Sequence, residues 1–202
     1  MTIRLLIADD QALVRGALAA LLNLESDLEV VVEVGAGDEV LPAALEHRPD
    51  VCLLDVEMPG MDGIAAAAVL RDRLPGTRVL MVTTFGRPGY LRRALQAGAS
   101  GFVVKDTPAA KLADAVRRVH QGLRVVDPAL ATDSLFSGES PLTPRETDVL
   151  RAARDGSSAA AIARRLVLSE GTVRNHLSAA IGKTDAANRA EAVLTAENNG
   201  WL

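Results

Sequence analysis

The chain has 202 residues, of which 49% are hydrophobic and 2% aromatic, and its formal net charge is −4. The apolar share excludes a wholly disordered chain, and the apolar stretches are too short or too charged to predict a membrane-spanning helix. One cysteine and three histidines exclude a disulfide framework and a zinc cluster, and the first residues lack the long apolar run of a signal peptide. We therefore expect a soluble, cytoplasmic protein.

The first 121 residues alternate short apolar runs with helical patterns. The runs are rich in Val, Ile and Leu without polar alternation, which is typical of strands buried on both faces of a parallel sheet. The predicted strands are Ile3–Ala8, Val30–Val34, Val51–Leu54, Val79–Thr83 and Phe102–Val104. The predicted helices are Ala12–Leu22, Glu39–Glu46, Ile64–Leu74, Tyr90–Ala97 and Ala109–Gln121. Five strand–helix units in succession predict an α/β fold with a doubly wound, five-stranded parallel sheet.

The pattern changes after residue 121. Gly, Pro and Ser interrupt residues 122–141, which predicts a linker. Residues 142–202 show no strand pattern and predict a small all-α domain, whose four helices are Pro144–Arg154, Ala159–Leu166, Glu170–Lys183 and Ala187–Asn198. Thr143 and Glu146 have the spacing of a capping box, and Ser158 and Ser169 are predicted N-caps. The net charge is −5 over residues 1–140 and +1 over residues 141–202.

Charged and hydroxyl side chains lie at the ends of four predicted strands. These residues are Asp9, Asp10, Asp55, Thr83, Thr84 and Lys105. Because the carboxyl ends of parallel strands share one edge of the sheet, we expect the side chains to converge there. Gathered carboxylates favour a cation with oxygen ligands, such as Mg²⁺, and a cation beside a lysine forms a site for phosphoryl oxygens. A carboxylate there can act as a nucleophile and form an aspartyl phosphate. The alternative is that these are ordinary surface residues at strand ends.

These strand ends resemble the receiver domain of two-component response regulators. The resemblance covers residues 1–121 and rests on Asp9-Asp10, on Asp55 with Met58-Pro59-Gly60-Met61-Asp62-Gly63, on Thr83, and on Gly98-Ala99-Ser100-Gly101-Phe102-Val103-Val104-Lys105. It implies that Asp55 is the phosphoacceptor. The sequence differs from the family pattern at one point: Pro108 lies three residues after Lys105, whereas many receivers carry a proline directly after the lysine.

The same resemblance assigns roles to the other residues of the site. The implied Mg²⁺ site consists of Asp9, Asp10, Asp55 and the backbone carbonyl of Glu57. Asp10 would bind the ion directly, and Asp9 would assist through water. The implied phosphoryl-binding and switch residues are Thr83, Phe102 and Lys105. For Phe102, plain core packing is the alternative.

A helix–turn–helix is predicted by Ala159–Leu166, the turn Val167-Leu168-Ser169 and Glu170–Lys183. In this motif the second helix enters the major groove, where its first turns face the base edges. The predicted DNA-binding residues are Thr172, Val173, Arg174, Asn175, Ser178 and Lys183. Arg and Asn suit guanine and adenine, Val suits the thymine methyl, and Lys suits phosphate. A helical hairpin that does not bind DNA is the alternative, because +1 is a small charge for this role.

Residues 142–194 resemble the LuxR-type helix–turn–helix of the NarL/FixJ family. The resemblance rests on Leu142-Thr143-Pro144-Arg145-Glu146, Ile162-Ala163-Arg164-Arg165-Leu166 and Ser169-Glu170-Gly171-Thr172-Val173-Arg174-Asn175-His176. It implies promoter binding, usually as a dimer. Ser178 replaces a second basic residue that many members carry, so fewer contacts per half-site are expected. Residues 84–90 and the terminal Gly200-Trp201 resemble the DesR-like branch of this family.

Together these resemblances imply a DNA-binding response regulator. A sensor histidine kinase would phosphorylate Asp55, and phosphorylation would favour a homodimer that binds promoter DNA. Any enzymatic activity would be limited to the receiver's own phosphorylation and dephosphorylation. The dimer surface would lie either on the helices Ala12–Leu22 and Ala109–Gln121 or on the fourth and fifth strand–helix units. Two alternatives stay open: an aspartyl-phosphate phosphohydrolase, and a regulator that works without phosphorylation.

Overall fold

The computed structural model describes residues 2–84, 88–127, 130–131 and 140–202, and the chain divides into two compact units. Within this described part, the first unit contains β1 (Ile3–Ala8), α1 (Ala12–Leu22), β2 (Leu28–Val34), α2 (Gly37–His47), β3 (Val51–Leu54), α3 (Gly63–Arg73), β4 (Arg78–Thr83), α4 (Pro88–Gln96), β5 (Gly101–Val104), α5 (Ala109–His120) and β6 (Val125–Val126). The second unit contains α6 (Pro144–Ala152), α7 (Ala159–Leu166), α8 (Glu170–Lys183) and α9 (Arg189–Asn198).

The sheet is parallel throughout and has the strand order β2-β1-β3-β4-β5-β6, which confirms the predicted doubly wound fold. It has six strands among the described residues, so the prediction of five was wrong by one. The extra strand β6 pairs with Gly101 and Phe102 of β5 and lies inside the predicted linker. Its two valines favour a strand, but a two-residue run carries too little pattern to predict one. Residues 128–129 and 132–139 of the predicted linker lie outside the described residues.

The strands are apolar because the sheet is covered on both faces. One hydrophobic cluster contains Leu6 and Leu54, and a second contains Leu5 and Leu53, as expected when successive side chains point to opposite faces. Cys52 is buried in the first cluster and acts as a small hydrophobic residue, as its position in the strand predicts. The core therefore continues on both sides of the central strands up to their carboxyl ends.

The strand register brings the polar strand-end residues to one edge. Ala8 of β1 pairs with Leu54 of β3, and Thr83 of β4 pairs with Val104 of β5. Asp9, Asp55 and Lys105 each directly follow one of these paired residues. The edge of the sheet that carries them is the one at which open α/β sheets bind ligands.

Capping side chains set the helix starts of the second unit. Thr143 and Glu146 form the predicted capping box at α6, and the predicted N-caps Ser158 and Ser169 accept hydrogen bonds from backbone N–H groups of α7 and α8. Helix α9 begins two residues later than predicted, because Asn188 caps it by accepting a bond from the Glu191 N–H. In the described part of the chain, no helix combines the length and hydropathy of a membrane span.

Candidate functional site

Two buried carboxylates meet one lysine at the carboxyl edge of the sheet. The Nζ atom of Lys105 lies 2.7 Å from Asp9 Oδ2 and 2.8 Å from Asp55 Oδ2. Asp9 is 2% exposed and Asp55 is 5% exposed, so both carboxylates are largely removed from water. The ammonium group between them offsets part of the cost of burying two negative charges. The structure therefore brings together three of the residues that the sequence placed at this edge.

Asp10 completes an acidic cluster with these two carboxylates. One carboxylate oxygen from each of Asp9, Asp10 and Asp55 lies within 4.8 Å of the other two. Asp10 is exposed, whereas its two neighbours are buried, so the cluster has one side toward solvent. Several carboxylate oxygens with room for water are the ligand set that Mg²⁺ prefers. The residues present therefore fit this ion.

An open cleft of about 220 Å³ lies beside the acidic cluster. It is lined by Asp10, Gln11, Asp55, Glu57, Thr83 and Thr84. Thr83 ends β4 and is itself buried, and Phe102 lies fully buried on the neighbouring strand β5. The structure thus places Thr83 at the cleft and Phe102 in the hydrophobic core.

Burial and charge shift the pKa of both partners in the central ion pair. Desolvation by burial raises the pKa of Asp55, and the nearby Asp9 charge adds to this, although Lys105 acts in the opposite direction. Burial also acts to lower the pKa of Lys105, but its hydrogen bonds to Asp55 and Asp9 outweigh burial and raise that pKa. Lys105 is therefore a fixed cation at neutral pH, and Asp55 is a carboxylate held in a costly environment.

Arg15 fixes the loop that carries the acidic pair, and the sequence reasoning missed it. Its Nη1 atom donates to the backbone carbonyl of Asp9 at 2.6 Å, and its Nε atom lies 3.7 Å from Glu33 on β2. The N–H of Gln11 donates to Asp9 Oδ1 at 2.9 Å. The available signal was a single charged residue in the otherwise apolar helix α1.

The loop after β3 folds back on the strand end and contacts α4. A Cβ atom on Gly63 would lie 1.9 Å from the carbonyl oxygen of Asp55, so only glycine permits this close approach. The Tyr90 hydroxyl donates to Glu57 Oε1 at 2.9 Å. The sequence reasoning did not predict this hydrogen bond, because no spacing rule links two residues so far apart in the chain.

Helix α8 presents most of its predicted DNA-binding side chains to solvent. The exposed or half-buried ones are Thr172, Arg174, Asn175, Ser178 and Lys183. Val173 is instead fully buried in a cluster with Val149 and Ile162. Its side chain packs the helices together and cannot reach a thymine methyl group, which corrects the prediction for this residue. A recognition helix must bury one side on its own unit, and the sequence pattern did not show which side this is.

Two cationic side chains of α8 are engaged in ion pairs. Arg174 Nη2 lies 2.9 Å from Glu170 Oε2, and both side chains are mostly exposed. Such a surface pair is weak, so Arg174 can exchange it for a contact with DNA. Lys183 Nζ lies 2.8 Å from Oε2 of the buried Glu146, which also accepts from the Thr143 N–H. A phosphate contact by Lys183 would have to compete with this partly buried pair.

The chain matches known proteins over its whole length. Residues 5–117 match the family model of the response regulator receiver domain, and residues 140–196 match that of the bacterial regulatory proteins of the luxR family. Over 200 residues the chain is 43% identical to the transcriptional regulatory protein DesR of Bacillus subtilis (strain 168), with 99% of each chain covered. It is 45% identical over 200 residues to the transcriptional regulatory protein YvfU of the same strain, covering 99% of this chain and 100% of YvfU.

Solved structures resemble it as well. The crystal structure of the response regulator ChrA of a heme-sensing two-component system gives a TM-score of 0.61 at 31% identity. The match covers 100% of this chain and 99% of that one. The similarity to DesR agrees with the resemblance found in the sequence, and the chain is similar to YvfU to nearly the same degree.

Proposed function

This chain belongs to the NarL/FixJ family of two-component response regulators, with a receiver domain and a LuxR-type DNA-binding domain, and we propose that Asp55 accepts a phosphoryl group from a sensor histidine kinase. The observation that carries the proposal is the contact of one lysine with two buried carboxylates beside an open cleft. Asp55 is the member of this group that follows the central strand β3 and lines the cleft.

The transfer needs an in-line nucleophile and cations on the phosphoryl oxygens. The Asp55 carboxylate attacks phosphorus, an O–P bond forms, and the P–N bond to the kinase histidine breaks, so that the electron pair leaves with the imidazole. Lys105 then pairs with a phosphoryl oxygen, and the Thr83 hydroxyl donates to another. Asp9, Asp10, Asp55 and the Glu57 carbonyl would hold Mg²⁺, which neutralises the negative charge that gathers there.

A mass measurement tests the phosphoacceptor. Acetyl phosphate and Mg²⁺ should add one phosphoryl group to the wild-type chain and none to Asp55→Asn. Asp114→Asn, which changes an exposed aspartate on α5, serves as the matched control and should accept the group normally. A phosphate adduct that persists in Asp55→Asn would refute the assignment. Rapid turnover of small phosphoesters would favour the phosphohydrolase alternative.

The metal assignment separately predicts that Asp10 contributes to Mg²⁺ affinity. Asp10→Asn keeps the shape of the side chain and removes a negative charge from the exposed side of the acidic cluster. Mg²⁺ binding, followed by titration calorimetry, should weaken severalfold because less charge faces the ion. Equal affinity in the wild type and the variant would contradict the assignment.

We further propose that phosphorylation produces a homodimer through α1. Leu13 and Leu24 on and just after α1 are 86% and 81% exposed, and Leu21 is 44% exposed. The one charged residue of α1, Arg15, contacts Asp9 and Glu33, so it does not interrupt this apolar surface. A second copy of the chain can cover the surface with its own α1, as a two-fold dimer requires.

Sedimentation velocity of the phosphorylated protein tests the dimer. Burying a leucine stabilises by about 1.5–3 kcal/mol, so Leu13→Lys should weaken dimerisation by at least about tenfold. Leu45→Lys on α2 is the matched control, because Leu45 is also exposed. If phosphorylation leaves a monomer that nevertheless binds DNA more tightly, the dimer proposal fails.

The second unit supplies the DNA contact in this proposal. Arg174, Asn175 and Ser178 lie exposed on α8, and Thr172 is half-buried at its start. These side chains are suited to read base edges in the major groove, and two half-sites joined by a dimer gain about 10²–10⁴ in avidity without a new contact. This gain matters here because the unit has a net charge of only +1 to attract DNA.

A further inference from the structure

One hydrogen bond connects the acidic cleft to the first turn of α4. Tyr90, the single tyrosine of the chain, donates its hydroxyl to Glu57 Oε1 at 2.9 Å. Glu57 lines the same cleft as Asp10 and Asp55 and is exposed to solvent. The proposed function uses only the backbone carbonyl of Glu57 and gives its carboxylate no role.

The first turns of helix α4 contact both the hydrophobic core and the loop after β3. The Tyr90 ring packs against the hydrophobic cluster that contains Leu91 and Phe102. A second contact joins α4 to the same loop, since Arg93 Nη2 lies 3.6 Å from Asp62 Oδ2. The ring packing therefore holds the hydroxyl of Tyr90 in place on the α4 side of the Glu57 carboxylate.

A divalent cation in the cleft would attract the Glu57 carboxylate electrostatically, in addition to the hydrogen bond from Tyr90. Asp9, Asp10 and Asp55 would hold such a cation, which would attract further negative charge, whereas the phenol offers a single neutral donor. We propose that Tyr90 is a positioning residue that holds the Glu57 carboxylate on the α4 side of the cleft, and that a bound cation competes with Tyr90 for this carboxylate. This inference rests on the proposed Mg²⁺ site.

In this competition, cation binding weakens the hydrogen bond from Tyr90 to Glu57, and the hydrogen bond weakens cation binding. Because coupling between two equilibria is reciprocal, a cation that weakens the hydrogen bond is itself bound more weakly while that bond is present, so removing the hydroxyl should tighten Mg²⁺ binding. The net free energy of one such hydrogen bond corresponds to about two- to tenfold in affinity. Tyr90→Phe, which keeps the ring packing, should therefore bind Mg²⁺ about two- to tenfold more tightly than the wild type.

A double-mutant cycle on the full-length chain isolates the coupling. Mg²⁺ affinity is measured by calorimetry for the wild type, Tyr90→Phe, Glu57→Gln and the double variant. The amide in Glu57→Gln has no charge for a cation to attract, so adding Tyr90→Phe to it should leave the affinity unchanged. As a spectroscopic readout, 3-fluorotyrosine gives one ¹⁹F resonance from Tyr90, which Mg²⁺ should shift in the wild type and not in Glu57→Gln.

The outcomes separate this inference from the proposed function. If the wild type fails to bind Mg²⁺, the proposed metal site is wrong and the inference falls with it. If the wild type binds Mg²⁺ but Tyr90→Phe has equal or weaker affinity, only the inference is overturned. An equal effect of Tyr90→Phe in both backgrounds, or a resonance that Mg²⁺ leaves unmoved in the wild type, would also overturn it.

Discussion

Replacing Lys105 with methionine should destabilise the protein strongly, because one cation serves two buried carboxylates. Its Nζ atom lies 2.7 Å from Asp9 and 2.8 Å from Asp55, and both aspartates are almost fully buried. Methionine keeps much of the side-chain volume and removes the charge. The variant would then hold two adjacent buried anions that no longer share a cation.

The magnitude follows from the spacing of the charges. Two unit charges no more than 4.8 Å apart, the bound that holds for the carboxylate oxygens of this cluster, repel by at least about 3.5 kcal/mol at an effective dielectric constant of about 20. Removing one partner of a buried ion pair costs about 3–5 kcal/mol in general. We therefore expect Lys105→Met to lower the free energy of unfolding by about 3–5 kcal/mol at pH 8. The loss should shrink at pH 5, because the raised pKa of an unpaired buried carboxyl lets it bind a proton in the folded state.

Urea unfolding followed by circular dichroism measures this loss. Lys111→Met, at an exposed lysine on α5, is the control and should unfold almost like the wild type. Adding Asp9→Asn to Lys105→Met should restore much of the stability, since it removes one of the two repelling charges. A loss below about 1 kcal/mol, the range of a surface ion pair, or no recovery in the double variant would show that Lys105 does not offset the two buried charges.

Three further predictions concern Asp55, Val167 and Arg174. Burial raises the folded-state pKa of Asp55, so its stabilising contribution is present at acid pH and is lost as the pH rises through that pKa. Asp55→Asn should therefore raise the midpoint of thermal unfolding at pH 7.5, and the gain should disappear near pH 3; an unchanged or lower midpoint at pH 7.5 would contradict this. Val167 is 90% exposed with a φ of 54°, a conformation that β-branched residues disfavour, so Val167→Asn should stabilise the chain by about 1 kcal/mol in thermal melts. Arg174→Ala should weaken promoter binding by about 1–3 kcal/mol if the arginine reads a base, measured by fluorescence anisotropy, whereas Arg145→Ala, at an exposed arginine of α6, should not.

Most of the receiver site could be predicted because it depends on the parallel direction of the strands. Consecutive buried strands in a parallel sheet end at one edge, so residues that directly follow them must be neighbours. This reasoning placed Asp9, Asp55 and Lys105 together without any knowledge of side-chain conformation. It could not show that Lys105 contacts both aspartates, because that depends on rotamers and burial.

The contacts that the sequence analysis missed come from packing between distant segments. The hydrogen bond of Tyr90 to Glu57 and the bond of Arg15 to the Asp9 carbonyl join residues on different elements, and neither pair has a local spacing rule. The short strand β6 forms only because β5 offers it a partner. The prediction for Val173 was wrong because core packing and base contact both suit a valine in the first turns of a recognition helix, and here the side chain is buried in the core.

Chemical location of the acyl phosphate is the direct test that Asp55 is the phosphoacceptor. The chain is phosphorylated with acetyl phosphate and Mg²⁺, reduced with borohydride, which converts an acyl phosphate to an alcohol, and digested for peptide mass analysis. We expect homoserine at position 55 and unchanged aspartate at positions 9 and 10. Homoserine at another acidic residue, or none after stoichiometric phosphorylation, would contradict the assignment of Asp55.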